Sequence, residues 1–85
     1  MRPHTDGPHE FNNDCDLAGY GIWDCYGGSE VIAHYPSERY GILISDPRMN
    51  IVKWQLVIIR DSLVLYMRTK TYSQSWLSWN KLFEQ

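Results

Sequence analysis

Cysteine is scarce in this chain, long apolar runs are missing, and the usual catalytic signatures are absent. Each shortage narrows what the protein can be. No apolar run approaches the roughly 18 residues of a membrane-spanning helix. The first twenty residues lack the basic-then-apolar pattern of a signal peptide. The expectation is a soluble, cytoplasmic protein with no membrane partner.

The two cysteines, Cys15 and Cys25, have nine residues between them, which fits neither a CxxC redox pair nor a zinc knuckle. His4, His9, Cys15 and Cys25 can be written as a four-ligand zinc set. Zinc sites, however, bring two ligands from one tight turn, and this spacing does not. Free thiols are expected, with Cys25 partly packed in a strand, and with no metal and no cofactor.

No GxxxxGK[ST], GxGxxG, HExxH or GxSxG occurs. Gly19, Gly21, Gly27 and Gly28 suit hairpin geometry better than a phosphate cradle. Cys25 and His34 fall on one face of the expected sheet but four ladder positions apart, about 13 Å at roughly 3.3 Å per residue. Asp24 and Glu30 point to opposite faces by parity, which leaves paired acid–base work without its second carboxylate. An enzyme is not expected, and no catalytic residue is assigned.

What the chain does have is core-forming material. Eighty-five residues suffice for one domain and not for two. Apolar residues make up 44% and charged residues 21%, too greasy a mixture for a chain disordered throughout. Net charge is −2 and the pI near 5.8, not the basic field of a dedicated nucleic-acid binder.

The charge is uneven. Residues 1–46 carry eight acids against Arg2 and Arg39, a net of −6; residues 47–85 carry Asp61 and Glu84 against six cations, a net of +4. The halves should attract each other.

Residues 1–17 read as an irregular, flexible acidic arm, with Phe11 as its one large apolar side chain beyond Met1 and Leu17. Residues 18–85 read as a single α+β domain, an antiparallel β-meander of about five strands near 19–26, 29–35, 39–45, 51–60 and 63–72. Gly27-Gly28 supplies a two-residue type I′ turn, setting Tyr26 opposite Ser29, Trp23 opposite Ile32 and Gly21 opposite His34. Arg60-Asp61-Ser62 is the turn between the last two strands, pairing Ile58 with Leu65, Leu56 with Met67 and Trp54 with Thr69. In the tail, Trp76, Trp79, Leu82 and Phe83 lie at i, i+3, i+6 and i+7. That spacing predicts one C-terminal α-helix, capped by Ser73 or Ser75 and packed on one sheet face.

That face of the long hairpin carries Val52, Trp54, Leu56, Ile58, Leu63, Leu65 and Met67, and is expected to be core. The opposite face carries Val57, Ile59, Val64 and Tyr66, with Lys53, Gln55, Arg68 and Lys70 at one end. A single short helix covers only one side, which leaves this second face either under a curled first hairpin or free as an interface. The expected contact residues are therefore Val57, Ile59, Val64, Tyr66, Arg68, Lys70 and Lys53, with Asp14 and Asp16 as a secondary acidic determinant. The resulting function is a non-enzymatic protein-binding module with self-association as one form. Small inhibitors such as phage anti-defence or immunity proteins are its class-level analogues. The alternative is a single-stranded nucleic-acid binder stacking on Tyr66 among Lys53, Arg68 and Lys70, a reading the acidic half disfavours.

Overall fold

The computed structural model describes residues 9–48, 52–71 and 74–85. Six strands form one mixed sheet in chain order: β1 (His9–Glu10), β2 (Gly21–Cys25), β3 (Gly41–Asp46), β4 (Val52–Ile59), β5 (Val64–Thr71) and β6 (Asn80–Glu84). β1 runs parallel to β2, and every later neighbour is antiparallel. Short 3₁₀ turns at Cys15–Leu17 and Gly28–Glu30 are the helical elements among the described residues. No helix among them is long and apolar enough to cross a membrane.

The long hairpin forms as its composition dictates. β-Branched and aromatic residues fill both strands, and the polar stretch between them turns the chain. Trp54 pairs with Thr69, Leu56 with Met67 and Ile58 with Leu65, the register read from the sequence. Leu63 closes the turn in a left-handed conformation (φ 49°), its N–H donating to the Ile59 carbonyl at 3.1 Å.

Three expectations are corrected. First, the C-terminal helix does not exist: residues 80–84 are β6, paired along the outer edge of β5. In the stretch before it, Ser75-Trp76-Leu77-Ser78-Trp79, four of the five residues are Ser or Trp, only middling helix formers. The unpaired N–H and C=O groups of the eight-residue β5 offer the tail a ladder that a lone ten-residue helix could not match. The fold is therefore a sheet with loops on one face, not α+β.

Second, Gly27-Gly28 does not make a hairpin. A type I′ turn needs positive φ at both central residues, whereas Gly27 has φ −86° and only Gly28 is left-handed, at 61°. Residues 29–35 form no strand, and β2 pairs instead with β3, setting Trp23 opposite Leu43 and Gly21 opposite Ser45. The connection between β2 and β3 folds back under the sheet, burying Ile32 and Tyr35.

Third, the arm is not a flexible appendage where it is described. His9 and Glu10 form β1, the Phe11 N–H continues the pairing to the Asp24 carbonyl at 2.6 Å, and Phe11, Cys15 and Ala18 are core. The expected strand limits Ile51 and Tyr72, the cap Ser73, and His4 lie outside the described residues.

These loops decide which face of the sheet is inside. The arm, the β2–β3 connection and Trp79 cover the face bearing Leu43, Val57, Ile59 and Val64, and the core forms there. The side expected to be core is the other one.

Candidate functional site

Two constellations stand out, one polar and under the sheet, the other apolar and on its open side.

The polar one centres on Arg68. Strand parity turns this side chain inward beside Gln55, its partner on β4, and only 5% of Arg68 is exposed. Arg68 Nε donates to Gln55 Oε1 at 2.8 Å, and Gln55 Nε2 donates to the Cys15 carbonyl at 2.7 Å and to Ser45 Oγ at 3.1 Å. Ser45 Oγ in turn donates to the Ala18 carbonyl at 3.3 Å. On its outer side the Arg68 Nη2 lies 2.9 Å from Asp16 Oδ1, an approach too poorly angled for a good hydrogen bond, so it holds by charge. Trp76 and Trp79 sit against the guanidinium at 4.5 and 4.6 Å from ring centroid to Cζ. Burial pushes the Arg68 pKa down while the Asp16 carboxylate opposes the shift; guanidinium remains charged in proteins.

Asp14 and His34 extend the cluster outward. His34 Nδ1 lies 2.7 Å from Asp14 Oδ1 and 3.4 Å from Asp16 Oδ2. The hydrogen bond to Asp14 raises the His34 pKa, and the same bond lowers that of Asp14. His34 adopts left-handed backbone (φ 62°), and its carbonyl accepts from Trp79 Nε1 at 2.6 Å. Arm, β2–β3 loop and tail are thus clasped at one point.

The ligand-type atoms of Asp14, Asp16 and His34 all lie within 4.8 Å of one another. The positive charge they face is already supplied by Arg68, and His34 engages Asp14 through the nitrogen a metal would need. The chemistry of the donor set fits a structural clasp better than a metal centre. The thiols of Cys15 and Cys25 are both free and buried, and burial raises each to about 12. Thiols held protonated in this way are poor nucleophiles and poor ligands.

The structure separates the expected contact residues. Val57, Ile59 and Val64 are 0, 1 and 7% exposed, and belong to the core rather than to a surface. Tyr66 packs half-buried against that core. Lys53 and Lys70 face each other, half-buried, across β4 and β5. Asp14, Asp16 and Arg68 do come together, but as partners of the chain itself. Of the residues named for the nucleic-acid alternative, Arg68 is enclosed and Tyr66 is half-buried.

The open side is the unforeseen feature. Register places Ile22, Ile44, Leu56 and Met67 in one row across β2 to β5, and Asp24, Ile42, Ile58, Leu65 and Phe83 in the next, reaching β6. Trp54 stands beside them opposite Asp46. Ile22 is 51% exposed, and Ile42, Ile44, Trp54, Leu56, Ile58, Leu65 and Met67 are only half-buried. Among the described residues, the main element-to-element contacts of each strand run to its sheet neighbours. At one end the face deepens into a groove of about 540 Å³, lined by Tyr20, Ile22, Ile44, Asp46, Arg48 and Trp54. Sequence periodicity could find these residues but not their exposure, since both faces of the hairpin alternate with comparably apolar side chains.

The flanking charges stand beside opposite charges of the same chain. Arg48 Nε and Nη2 reach the two Asp46 carboxylate oxygens at 2.9 and 3.0 Å, and the Arg48 guanidinium lies 3.7 Å from the Tyr20 ring centroid. Arg60 Nη1 stands 3.5 Å from Asp24 Oδ1.

Compared with known proteins, the chain matches no family model, and no curated protein or solved structure is significantly similar to it.

Proposed function

We propose that this chain is a non-enzymatic protein-binding module whose docking surface is the open sheet face bearing Ile22, Ile42, Ile44, Trp54, Leu56, Ile58, Leu65 and Met67. The observation that supports this is the uncovered double row of large aliphatic side chains. Monomeric proteins seldom leave a contiguous apolar patch of this kind in water, and where they do it commonly marks an interaction site. Docking belongs to the side of Leu56, and the side of Val57 is core.

The polar cluster serves this function indirectly. Arg68, Gln55 and Asp16 tie the arm and loops to the inner face, which leaves the outer face free and flat. Hydroxyl-radical footprinting of the dilute monomer tests the assignment. Trp54 and Met67 should be modified at rates typical of partly exposed side chains. Strong protection of both in a protein of monomeric mass would mean the face is covered from within, and the reading would fail.

A further inference from the structure

We propose that His34 is the hinge of a pH-sensitive clasp, in which proton loss from its ring loosens the tail at Trp79 from the rest of the fold. The device is separate from the open face and does not depend on the reading of that face.

Connectivity comes first. His34 lies in the connection between β2 and β3 and holds two other segments, each through a different end of the residue. Its ring Nδ1 stands 2.7 Å from Asp14 Oδ1 of the arm, while its carbonyl accepts from Trp79 Nε1 of the tail at 2.6 Å. Trp79 directly precedes β6, so whatever turns the His34 carbonyl acts on the start of the last strand.

Backbone geometry comes second. At φ 62° His34 is left-handed, a conformation that residues with a Cβ populate sparsely and keep only where their surroundings impose it. The ring contact and the carbonyl contact hold it from opposite ends. Slackening the ring's grip on Asp14 lets the backbone relax, and a relaxed backbone points the carbonyl away from Trp79.

Charge comes third. Among the described residues, Asp14 and Asp16 face the ring from the arm, with Asp16 Oδ2 at 3.4 Å. Arg68 faces the cluster from β5, its Nη2 2.9 Å from Asp16 Oδ1, and the tail brings Trp76 and Trp79, which carry no charge. In formal charge, two carboxylates meet two cations while His34 is protonated and a single cation once it is not. The hydrogen bond to Asp14, joined by the charge of Asp16 and opposed by that of Arg68, raises the His34 titration above the ordinary value of about 6.5. The ring's added hold is therefore complete below the ordinary value and is lost as pH climbs through the raised one.

Proton NMR of the full-length chain tests this through solvent exchange of indole N–H groups. The Trp23 Nε1–H, which donates to the Gly19 carbonyl at 3.2 Å, serves as internal reference. Exchange of both groups is base-catalysed, so the ratio of their rates cancels the dependence on hydroxide. Between about pH 5.5 and about pH 8.5 the Trp79 rate should gain about two- to fivefold on that of Trp23, the scale set by an exposed ion pair. The gain should share its midpoint with the His34 ring. His34→Asn keeps a residue tolerant of left-handed backbone and removes the titration, so its ratio should stay flat. Linkage is reciprocal, and Trp79→Phe should lower the His34 midpoint. A flat ratio in the parent protein while the His34 ring titrates would overturn the proposal. A parent-like gain in His34→Asn, or a His34 midpoint unmoved in Trp79→Phe, would overturn it as well.

Discussion

Arg68 Nη2 and Asp16 Oδ1 stand 2.9 Å apart, joining the middle of β5 to the 3₁₀ turn at the end of the arm. The acidic half and the basic half of the sequence meet here, inside one molecule. The pair closes a chain of polar contacts running through Gln55 to the Cys15 carbonyl.

Because Gln55 has no exposed surface, its partners depend on it. Replacing Gln55 with Leu keeps the volume but leaves the Cys15 carbonyl and Arg68 Nε without partners, which should cost about 2–3 kcal/mol. Arg68→Met should cost a similar amount, through Gln55 and the lost Trp76 and Trp79 contacts. Asp16→Asn, at a carboxylate a third exposed, should cost about 1 kcal/mol or less. Urea unfolding of the three variants decides it. A Gln55→Leu variant as stable as the parent would show that the network is decoration.

His34 and Asp14 add pH dependence. Hydrogen bonding to Asp14 raises the His34 pKa, so its contribution is full below the ordinary imidazole value of about 6.5 and fades as pH climbs through the raised folded value. Asp14 is lowered, so its contribution holds above the ordinary carboxyl value of about 3.9 and fades as pH falls through the depressed one. Both are intact from about pH 4 to 6.5. Asp16 and Arg68 are the charged groups facing the pair. Urea midpoints should therefore be slightly higher at pH 5.5 than at pH 8.5. His34→Asn, which tolerates left-handed backbone, should remove that difference. Persistence of the full difference in His34→Asn would move the titration to another group.

The sequence made the β4–β5 pairing legible and its facing illegible, for one physical reason. Register follows from where the chain can turn, and Arg60-Asp61-Ser62 is the sole polar break between two long apolar runs. Facing follows from what covers the sheet, and the cover comes from Phe11, Ile32 and Tyr35 in segments without periodicity. Polar Gln55 and Arg68 pointed away from burial until Cys15, Ser45 and Asp16 were seen to satisfy them. Trp76 and Trp79 recur three apart because both flank Arg68, a relationship indistinguishable from a helical stripe in one dimension.

Gly28 tests the corrected loop. Its φ of 61° is left-handed, and a Cβ there would run into the backbone carbonyl of Glu38. Gly28→Ala should cost more than the roughly 1 kcal/mol of the left-handed conformation alone. Gly27→Ala has no such backbone obstacle and would press on the Val31 side chain instead, near the exposed end of the loop. Thermal unfolding should rank Gly28→Ala as the more damaging. Equal losses would restore the symmetric two-glycine turn.

Thiol chemistry offers a check on the core. Cys15 and Cys25 are fully enclosed, and burial holds both thiols near 12. A disulfide-exchange reagent at pH 8 should react with neither in the native protein and with both after addition of denaturant. Prompt reaction of either would show that the arm opens readily from the sheet.

Leu56 and Val57 are adjacent in sequence and opposite in fate. Val57 is wholly inside, whereas Leu56 is only partly buried in the open row. Threonine at Val57 puts a hydroxyl into the core beside Leu43, opposite it on β3, and should cost about 1–3 kcal/mol for an unpaired buried polar group. Threonine at Leu56 keeps strand propensity and exposes its hydroxyl to water, so at concentrations where the chain is monomeric it should cost less than about 1 kcal/mol. Urea titrations of both variants in dilute solution measure this directly, and a Leu56→Thr cost equal to that of Val57→Thr would contradict the facing of the entire sheet.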